Sequence, residues 1–390
     1  MIQREIAAVA KSLFEAYPVV TITGPRQSGK TTLARSVFSH LPYVNLEELA
    51  TRELALSDPV AFMSKIQQGA VIDEIQRAPE ILSQIQVTVD EAQQNGMFVL
   101  TGSSQLKMME SVSQSLAGRT TLLRLLPLSV AEVSRFSISP TVDELIFNGF
   151  YPRIYHHGLE PTRVLGDYFE TYIERDLRSF AKIRELNLFQ RFVRLCAGRV
   201  GQLIKLDSLS NDVGVSSTTI KQWLSILEAS YVVFLLQPFH ANIRKRLVKT
   251  AKLYFYDVGL VSFLLGLESK DQVFTHPLRG SLFENMVLAE ILKYRFNRGK
   301  RLNISFYRDS KGNEVDLLVD IAGKIIPIEI KSGQTVTSSY FKGFAALEKV
   351  IGNSIEKKLL VYAGDRDDDR KEAIVTNLRK LPSRLADIGV

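Results

Sequence analysis

The chain is poor in cysteine and histidine. Its 390 residues include one cysteine, Cys196, and five histidines. A single cysteine excludes an internal disulfide, and the scattered histidines leave no candidate zinc cluster. Because disulfides are rare in reducing compartments, a reducing environment is expected.

Long apolar runs are also missing. No run of about 18 apolar residues, the length needed to cross a bilayer, occurs in the sequence. Glu5 and Lys11 interrupt the N-terminal apolar residues, so no signal peptide is expected. These absences favour a cytoplasmic protein.

The length and charge of the chain set further limits. A single core rarely grows past about 250 to 300 residues, so the length predicts two or three domains. The net charge of +7 permits a polyanionic partner without requiring one.

The most specific motif is a glycine-rich loop between an apolar strand pattern and an amphipathic helix pattern. It consists of Gly24, Pro25, Arg26, Gln27, Ser28, Gly29, Lys30, Thr31 and Thr32. The glycines let successive N–H groups point at a phosphate, and the helix adds its positive N-terminal end. Lys30 is predicted to meet the β- and γ-phosphates of ATP, and Thr31 to hold Mg²⁺.

A second candidate element of a nucleotide site is the apolar strand that ends in Asp73 and Glu74. Such a pair can be purely structural, but behind a phosphate loop it predicts a magnesium ligand, Asp73, and a base for the attacking water, Glu74.

Three further residues are candidates for contact with the nucleotide. Ser103 and Ser104 follow a third apolar strand, where a hydroxyl can sense the γ-phosphate or simply cap a helix. Arg119 precedes the next strand and can reach phosphate charge or form a surface ion pair.

The segments GPRQSGKTT, YVNLEE, VIDEIQ, LTGSSQ, SLAGRT and LPLSVAE resemble the AAA-type ATPase module of a large, mostly prokaryotic family with a C-terminal domain of unknown function. The resemblance covers residues 1–135. It implies the roles given above for Lys30, Thr31, Asp73 and Glu74, and it favours Ser103 or Ser104 as the sensor. The helical segment from Tyr168 to Leu177 resembles this family's linker helix.

The middle of the chain has the pattern of a winged helix. Helices from Leu206 to Asn211 and from Ser216 to Ala229 are predicted around a turn at Gly214, followed by a strand and the basic segment 242–252. DNA or RNA contact is one interpretation, and protein contact is another. The basic segment could instead close on the nucleotide or on the third domain. The candidate base-reading residues are Thr218, Thr219, Lys221 and Gln222, and the candidate phosphate-binding residues are Arg244, Lys245, Arg246 and Lys249.

The C-terminal part carries a second charged constellation. Two strands joined at Ala322-Gly323 would place Asp316 opposite Glu329, with Glu314 and Lys331 on the same face. A cation is expected between the opposed carboxylates, either Mg²⁺ or the ammonium of Lys331.

The residues Glu284, Asp316, Glu329 and Lys331 resemble the PD-(D/E)xK nuclease signature, with Asp316 following a valine instead of a proline. The resemblance implies a divalent ion held by Asp316, Glu329 and Glu284, and a water polarised by Lys331. The alternative to a metal site is a structural role, in which these residues form cross-strand ion pairs on an exposed face of the sheet.

Together these patterns predict an α/β protein of three parts. They are an AAA-like ATPase domain with a parallel sheet (1–135), a helical and winged-helix domain (136–265) and a restriction-endonuclease-like α/β domain (266–390). The predicted function is a Mg²⁺-dependent ATPase coupled to nucleic-acid binding or cleavage. The alternative is a nucleotide-gated regulator whose winged helix binds protein and whose nuclease-like domain is an inactive scaffold. The oligomeric state is left open.

Overall fold

The computed structural model describes residues 2–102, 115–177, 185–239 and 250–390. Ser103, Ser104 and the basic residues Arg244, Lys245, Arg246 and Lys249 lie outside this range, so the predictions made for them stay predictions.

The chain forms two compact units. The first contains Met1–Leu128 together with Ala229–Tyr231 and Phe296–Lys300, and the second contains Ser129–Glu228, Val232–Arg295 and Arg301–Val390. The predicted division into three domains stays a prediction.

The first unit is built on a parallel sheet with the strand order β2-β3-β4-β1-β5. Its strands are β1 (Val19–Thr23), β2 (Tyr43–Asn45), β3 (Ala70–Asp73), β4 (Phe98–Thr101) and β5 (Thr120–Arg124). Its described helices are α1 (Ala7–Ala16), α2 (Lys30–Val37), α3 (Leu49–Ser57), α4 (Pro59–Ser64) and α5 (Ile81–Ala92).

Both faces of this sheet are buried, as expected for parallel strands covered by helices. Val19 belongs to one hydrophobic cluster with residues of α4 and α5, whereas Val20 and Ile22 belong to another with residues of α1 and α2. This alternation follows from the two-residue period of a strand. Because the strands are parallel, the segments that follow β1, β3 and β4 meet at one edge of the sheet.

The second unit begins with helices and ends with a mixed sheet. Its described helices are α6 (Val130–Ser134), α7 (Val142–Asn148), α8 (Pro152–His157), α9 (Pro161–Tyr168), α10 (Leu186–Ala197), α11 (Leu206–Val213), α12 (Ser217–Ala229), α13 (Val258–Leu264), α14 (Lys270–Thr275), α15 (Arg279–Phe296), α16 (Lys342–Ile351) and α17 (Leu381–Asp387). A π-helical stretch, Phe169–Leu177, follows α9.

The strands of the second unit form a pair and a larger sheet. They are β6 (Val233–Leu236), β7 (Lys252–Phe255), β8 (Ile304–Arg308), β9 (Glu314–Ile321), β10 (Lys324–Lys331), β11 (Leu359–Tyr362), β12 (Asp368–Asp369) and β13 (Ile374–Asn377). The antiparallel pair is β6-β7, and the sheet has the order β12-β13-β11-β10-β9-β8. In this sheet β10, β11 and β13 run parallel to one another.

The predicted helix-turn-helix elements are present with shifted ends. Gly214 has the left-handed backbone (φ 90°) that ends α11, and the hydroxyl of Ser216 accepts a hydrogen bond from the Thr219 N–H (3.1 Å) at the start of α12. The following strand begins at Val233, after Tyr231, which adopts φ 56°. The two helices, the turn and the following strand therefore occur in the predicted order, while the winged-helix assignment stays a prediction.

The predicted hairpin of β9 and β10 is confirmed in register. Ile321 pairs with Lys324 and Leu317 with Ile328, around a turn in which Ala322 and Gly323 both have positive φ. Two positive φ values at the central residues suit the twist of a two-residue hairpin.

No helix among the described residues is both long and apolar enough to cross a membrane.

Candidate functional site

The phosphate loop lies between β1 and α2, as predicted. Gly24 has φ +148°, and a Cβ atom at this position would lie 2.0 Å from the carbonyl oxygen of Leu125. Gly29 has φ +93° and precedes the first residue of α2. These backbone conformations explain why glycine is required at Gly24 and preferred at Gly29.

Lys30 is buried, and its ammonium donates hydrogen bonds to the carbonyl oxygens of Gly24 (3.0 Å) and Pro25 (2.8 Å). Burial lowers the pKa of Lys30 to about 8, against the opposing effect of the nearby Glu74 and Asp73 carboxylates. Neutral carbonyls compensate a buried ammonium less well than an anion does. The loop therefore suits an anionic ligand.

Another observation fits a phosphate at this loop. The hydroxyl of Ser28 is buried and has no hydrogen-bond partner among the described residues. Buried polar atoms normally have partners, and a phosphate oxygen is a partner that this hydroxyl could donate to. Of the other predicted loop residues, Arg26 is half-buried, whereas Gln27 and Thr32 are exposed.

Asp73 is the centre of a hydrogen-bond network at the end of β3. Its carboxylate accepts from the hydroxyls of Thr31 (3.0 and 3.2 Å), Tyr43 (2.7 Å) and Thr101, and only 5% of the residue is exposed. Tyr43 and Thr101 lie on β2 and β4, the two strands that flank β3. The network brings the two predicted magnesium ligands, Thr31 and Asp73, into direct contact.

Sequence reasoning missed Tyr43 and Thr101. Burial, together with the hydrogen bond to Asp73, raises the pKa of Tyr43 far above its usual value, so its hydroxyl stays a donor. The guanidinium carbon of Arg35 lies 4.7 Å from the centre of the Tyr43 ring. Both residues lie in segments that carry the family resemblance, YVNLEE and LTGSSQ, but their contact with Asp73 depends on the strand order.

Glu74 adopts a left-handed backbone (φ 58°, ψ 46°) directly after β3. Its carboxylate accepts a hydrogen bond from the side-chain amide of Gln76. A left-handed backbone costs about 1 to 3 kcal/mol for a residue other than glycine and is common at functional sites. It turns the chain sharply after Asp73.

Arg119 lies at the opposite edge of the sheet. Its carbonyl accepts from the N–H of Val19, the first residue of β1, and its guanidinium forms an ion pair with Asp90 (2.6 Å). The phosphate loop follows the other end of β1. The prediction that Arg119 contacts the nucleotide is therefore not supported for nucleotide bound to the same chain, and the surface ion pair is observed instead.

The first unit also includes a tyrosine from a distant part of the chain. The hydroxyl of Tyr231 lies 2.8 Å from that of Thr23, the residue before Gly24, and both residues are 2% exposed. The sequence contains no signal for this contact.

The second unit contains the predicted carboxylate cluster. Lys331 forms ion pairs with Asp316 (3.2 Å) and with Glu329, and Asp316 also accepts from the N–H of Ile330 (2.8 Å). The second carboxylate oxygen of Glu329 is buried and has no hydrogen-bond partner in the part of the chain that the structure describes. The ammonium of Lys331, one of the two expected cations, thus lies between the opposed carboxylates.

Lys252 holds the neighbouring pair of carboxylates. This lysine, part of the predicted basic wing, is only 3% exposed and forms ion pairs with Glu284 (3.1 Å) and Glu314. Tyr254 also donates a hydrogen bond to Glu284. The ion pairs of Lys252 fit the alternative in which the basic segment closes on the third predicted domain. The four predicted phosphate-binding residues of the segment lie outside the described residues.

The surroundings raise the pKa of both Glu284 and Glu329 above the usual range. Burial is the largest cause for each, the charge of Asp316 adds to it, and the adjacent lysines oppose it. Among the described residues, no three His, Cys, Asp or Glu side chains are arranged as metal ligands. Lys252 pairs with Glu284, and Lys331 pairs with Asp316 and Glu329. The assignment of these three carboxylates as metal ligands stays a prediction.

Comparison with known proteins agrees with the structure of the first unit. Residues 16–134 match the family model described as AAA domain. Residues 139–271 and 279–381 match two models described as domains of unknown function, DUF8612 and DUF4143.

Similar proteins come from bacteria and archaea. The uncharacterized protein Rv2008c of Mycobacterium tuberculosis is 29% identical over 96% of this chain and 82% of its own length. The uncharacterized protein MJ1544 of Methanocaldococcus jannaschii is 23% identical over 88% of this chain and 82% of its own length.

Two solved structures are also similar. The Walker-type ATPase PABY2304 of Pyrococcus abyssi is 16% identical, with a TM-score of 0.44 over 68% of this chain and 96% of that chain. AMPPCP-bound DnaA from Aquifex aeolicus is 13% identical, with a TM-score of 0.32 over 57% of this chain and 85% of that chain.

The AAA match over residues 16–134, together with a phosphate loop on a parallel sheet, supports an AAA-type P-loop ATPase domain in the N-terminal third of the chain. The predicted C-terminal domain of unknown function is confirmed by the DUF4143 match.

Proposed function

We propose that the chain binds Mg·ATP at the phosphate loop and hydrolyses it. The observation that carries the proposal is the convergence of Lys30, Thr31 and Asp73 at the carboxyl edge of one parallel sheet, with a 3.0 Å contact between Thr31 and Asp73. Lys30 exchanges its carbonyl partners for oxygens of the β- and γ-phosphates.

Thr31 and Asp73 are the residues that would hold Mg²⁺, which when bound neutralises phosphate charge. Tyr43 and Thr101 orient the Asp73 carboxylate through their hydroxyl hydrogen bonds. Glu74 accepts the proton of the attacking water, with its carboxylate oriented by Gln76.

Nucleotide binding by a lysine variant tests this proposal. Lys30→Ala removes the buried ammonium, and we expect calorimetry with Mg·ATP to show at least a tenfold loss of affinity, because a charged hydrogen bond contributes about 1.5 to 3 kcal/mol. Lys11→Ala, on the exposed surface of α1, is the matched control and should bind as wild type. Equal affinities of the two variants would place the nucleotide elsewhere.

A second function is favoured by the carboxylate cluster of the second unit. We propose metal-dependent cleavage of a nucleic-acid phosphodiester, with Asp316 and Glu329 as the two carboxylate ligands and Lys331 beside the attacking water. The support is the unpaired buried oxygen of Glu329 next to Asp316. One or two carboxylates, completed by waters and substrate phosphates, are a common protein contribution to a Mg²⁺ site.

In this proposal the elements from α11 to β7 act as a winged helix that binds nucleic acid. The exposed residues of α12 supply the support, since Thr218, Lys221 and Gln222 face solvent. The competing function is a nucleotide-gated regulator, in which these elements bind protein and the Lys331 cluster is structural.

A nuclease assay distinguishes the metal-dependent nuclease from the nucleotide-gated regulator. Labelled DNA and RNA are incubated with Mg²⁺ or Mn²⁺, with and without ATP, and with wild type, Asp316→Asn or Lys331→Met. Cleavage that both substitutions abolish supports the nuclease. Absence of cleavage in wild type under every condition supports the regulator.

A further inference from the structure

A polar cleft opens at the carboxyl edge of the three parallel strands of the second unit. It has a volume of about 770 Å³ and is lined by the segments that follow β10, β11 and β13, together with residues of α7 and Arg279. Ligands of open α/β sheets bind outside the carboxyl ends of the strands. The position of this cleft therefore favours a bound ligand.

The cleft carries an excess of positive charge. Four cations line it, Arg279, Arg366, Arg379 and Lys380, against two carboxylates, Asp143 and Asp365. Arg279 is already neutralised, because it forms an ion pair with Asp143 (2.8 Å). The remaining charge comes from the two loops after β11 and β13.

Arg366 and Lys380, which line the cleft, differ from nearby cations outside the lining in that they form no ion pair within the described part of the chain. Arg384 pairs with Asp367 (2.9 Å) and Arg370 with Asp368 (2.9 Å), which uses nearby acidic side chains. The side chain of Arg366 has no ion pair or hydrogen bond with any residue that the structure describes, and the same holds for the ammonium of Lys380. Arg366 and Lys380 are both exposed, and the charge of Lys380 acts on the nearby Asp367 without a direct ion pair. Both side chains are therefore available to a ligand in the cleft.

Backbone contacts hold both loops in place. The Asn377 side chain accepts hydrogen bonds from the N–H groups of Arg379 and Lys380 (3.0 Å each) and donates one to the carbonyl of Asp365 (2.9 Å). The hydroxyl of Tyr362 accepts from the N–H of Arg366 (2.7 Å). The cations are therefore presented by an ordered framework.

The cleft adjoins the Lys331 cluster. Lys331 pairs in register with Tyr362, and its carbonyl accepts from the N–H of Ala363 (3.1 Å). Arg279 donates to the carbonyl of Ser332 (2.7 Å), the next residue along the chain. Neighbouring β-strands are about 4.8 Å apart, so the cleft lining at Tyr362 begins one β-strand away from Lys331.

We infer that this cleft binds the phosphate backbone of a nucleic-acid strand, with Arg366, Arg379 and Lys380 as the phosphate contacts. The inference rests on the proposed nuclease function for its substrate class. It assigns binding to a surface different from α12 and the basic segment 242–252. The binding is independent of base sequence, because the cations address phosphates and not base edges.

Fluorescence anisotropy tests strand binding under conditions in which neither cleavage nor ATP hydrolysis occurs. A labelled 20-nucleotide strand, as DNA or RNA, is titrated with the full chain in EDTA and without ATP at several salt concentrations. The cleft variant is Arg366→Gln with Lys380→Gln, and the matched control is Lys324→Gln with Lys349→Gln, two exposed lysines outside the cleft lining.

We expect the cleft variant to bind about tenfold more weakly at 100 mM salt, and its slope of log K against log salt to fall by about 1.4, the value for two lost contacts to a single strand. The control should keep both values. Thermal melting confirms that all variants fold.

Three outcomes overturn the inference: wild type binds neither strand at 50 mM salt, the cleft variant binds as wild type, or the control loses as much affinity as the cleft variant. Failure of the proposed nuclease function can be told apart from failure of this inference. If the cleft binds the strand but no metal permits cleavage, the cleft is retained and the cleavage function is rejected.

Discussion

The hydrogen bond between Thr23 and Tyr231 allows a direct test of how the first unit is held together. Tyr231→Phe removes a hydroxyl that lies 2.8 Å from that of Thr23 and also contacts Arg124. A hydrogen bond contributes about 0.5 to 1.5 kcal/mol, and a buried group left without its partner costs about 1 to 3 kcal/mol. We expect a loss of about 2 to 3 kcal/mol of local stability.

Thr23→Val is expected to cost less, about 1 to 2 kcal/mol, because the Tyr231 hydroxyl keeps its contact with Arg124. In the double variant neither hydroxyl remains, so the combined loss should be smaller than the sum of the single losses by about 1 kcal/mol. Such a shortfall is the signature of a direct contact.

Hydrogen exchange of the peptides that span β1 and β4 measures these values, because exchange reports local opening even where a chain of two units does not unfold in one step. A loss of about 2 kcal/mol accelerates exchange roughly 30-fold, since about 1.4 kcal/mol corresponds to a factor of ten. Tyr17→Phe, at an exposed tyrosine of the same unit, is the control. A direct hydrogen bond between Thr23 and Tyr231 is contradicted if amides of Tyr231→Phe exchange as slowly as those of the control. It is also contradicted if the stability losses of Thr23→Val and Tyr231→Phe simply add.

Two further substitutions probe stability and the loop. Glu144 accepts hydrogen bonds from Lys270 (2.6 Å) and from the N–H of Thr141, and these bonds lower its pKa to about 2. A carboxyl group whose pKa is lowered by folding stabilises the fold at pH values above its ordinary pKa, and this stabilisation is lost as the pH falls. Glu144→Gln should therefore lower the free energy of unfolding by about 1 kcal/mol at pH 7 after solvent screening. Melting curves should converge as the pH falls from 4.5 towards 2, and a constant gap would contradict this. Gly24→Ala forces a methyl group to within 2.0 Å of a carbonyl oxygen and should abolish ATP binding in calorimetry, whereas Gly118→Ala, with open space around it, should bind normally. Normal binding by the Gly24 variant would show that the loop tolerates a side chain.

The parts of the site that follow from local chain chemistry were predictable. The phosphate loop combines a strand, two glycines and a helix start within one short segment, so its conformation does not depend on distant residues. The hairpin of β9 and β10 follows from alternation about Ala322-Gly323. Local rules of this kind also placed Asp316 next to Lys331.

Other parts depend on which strands become neighbours. Tyr43 and Thr101 reach Asp73 only because β2 and β4 flank β3, and nothing local to either residue indicates that order. Lys252 has a basic sequence context typical of an exposed segment, yet pairing of β7 with β6 buries it. Arg119 forms the surface ion pair, one of its two predicted roles, because a residue that precedes a parallel strand lies at the amino edge, away from the loop.

The rate of ATP hydrolysis by Glu74→Gln tests directly whether the first unit is an ATPase with Glu74 as its general base. The substitution keeps the size of the side chain and one acceptor oxygen, and it removes the basicity of the carboxylate. We expect this variant to bind Mg·ATP like wild type and to hydrolyse it at least about 100-fold more slowly, because a general base is lost. A hydrolysis rate equal to that of wild type would contradict the assignment of Glu74, and no hydrolysis by wild type itself would contradict the proposed ATPase.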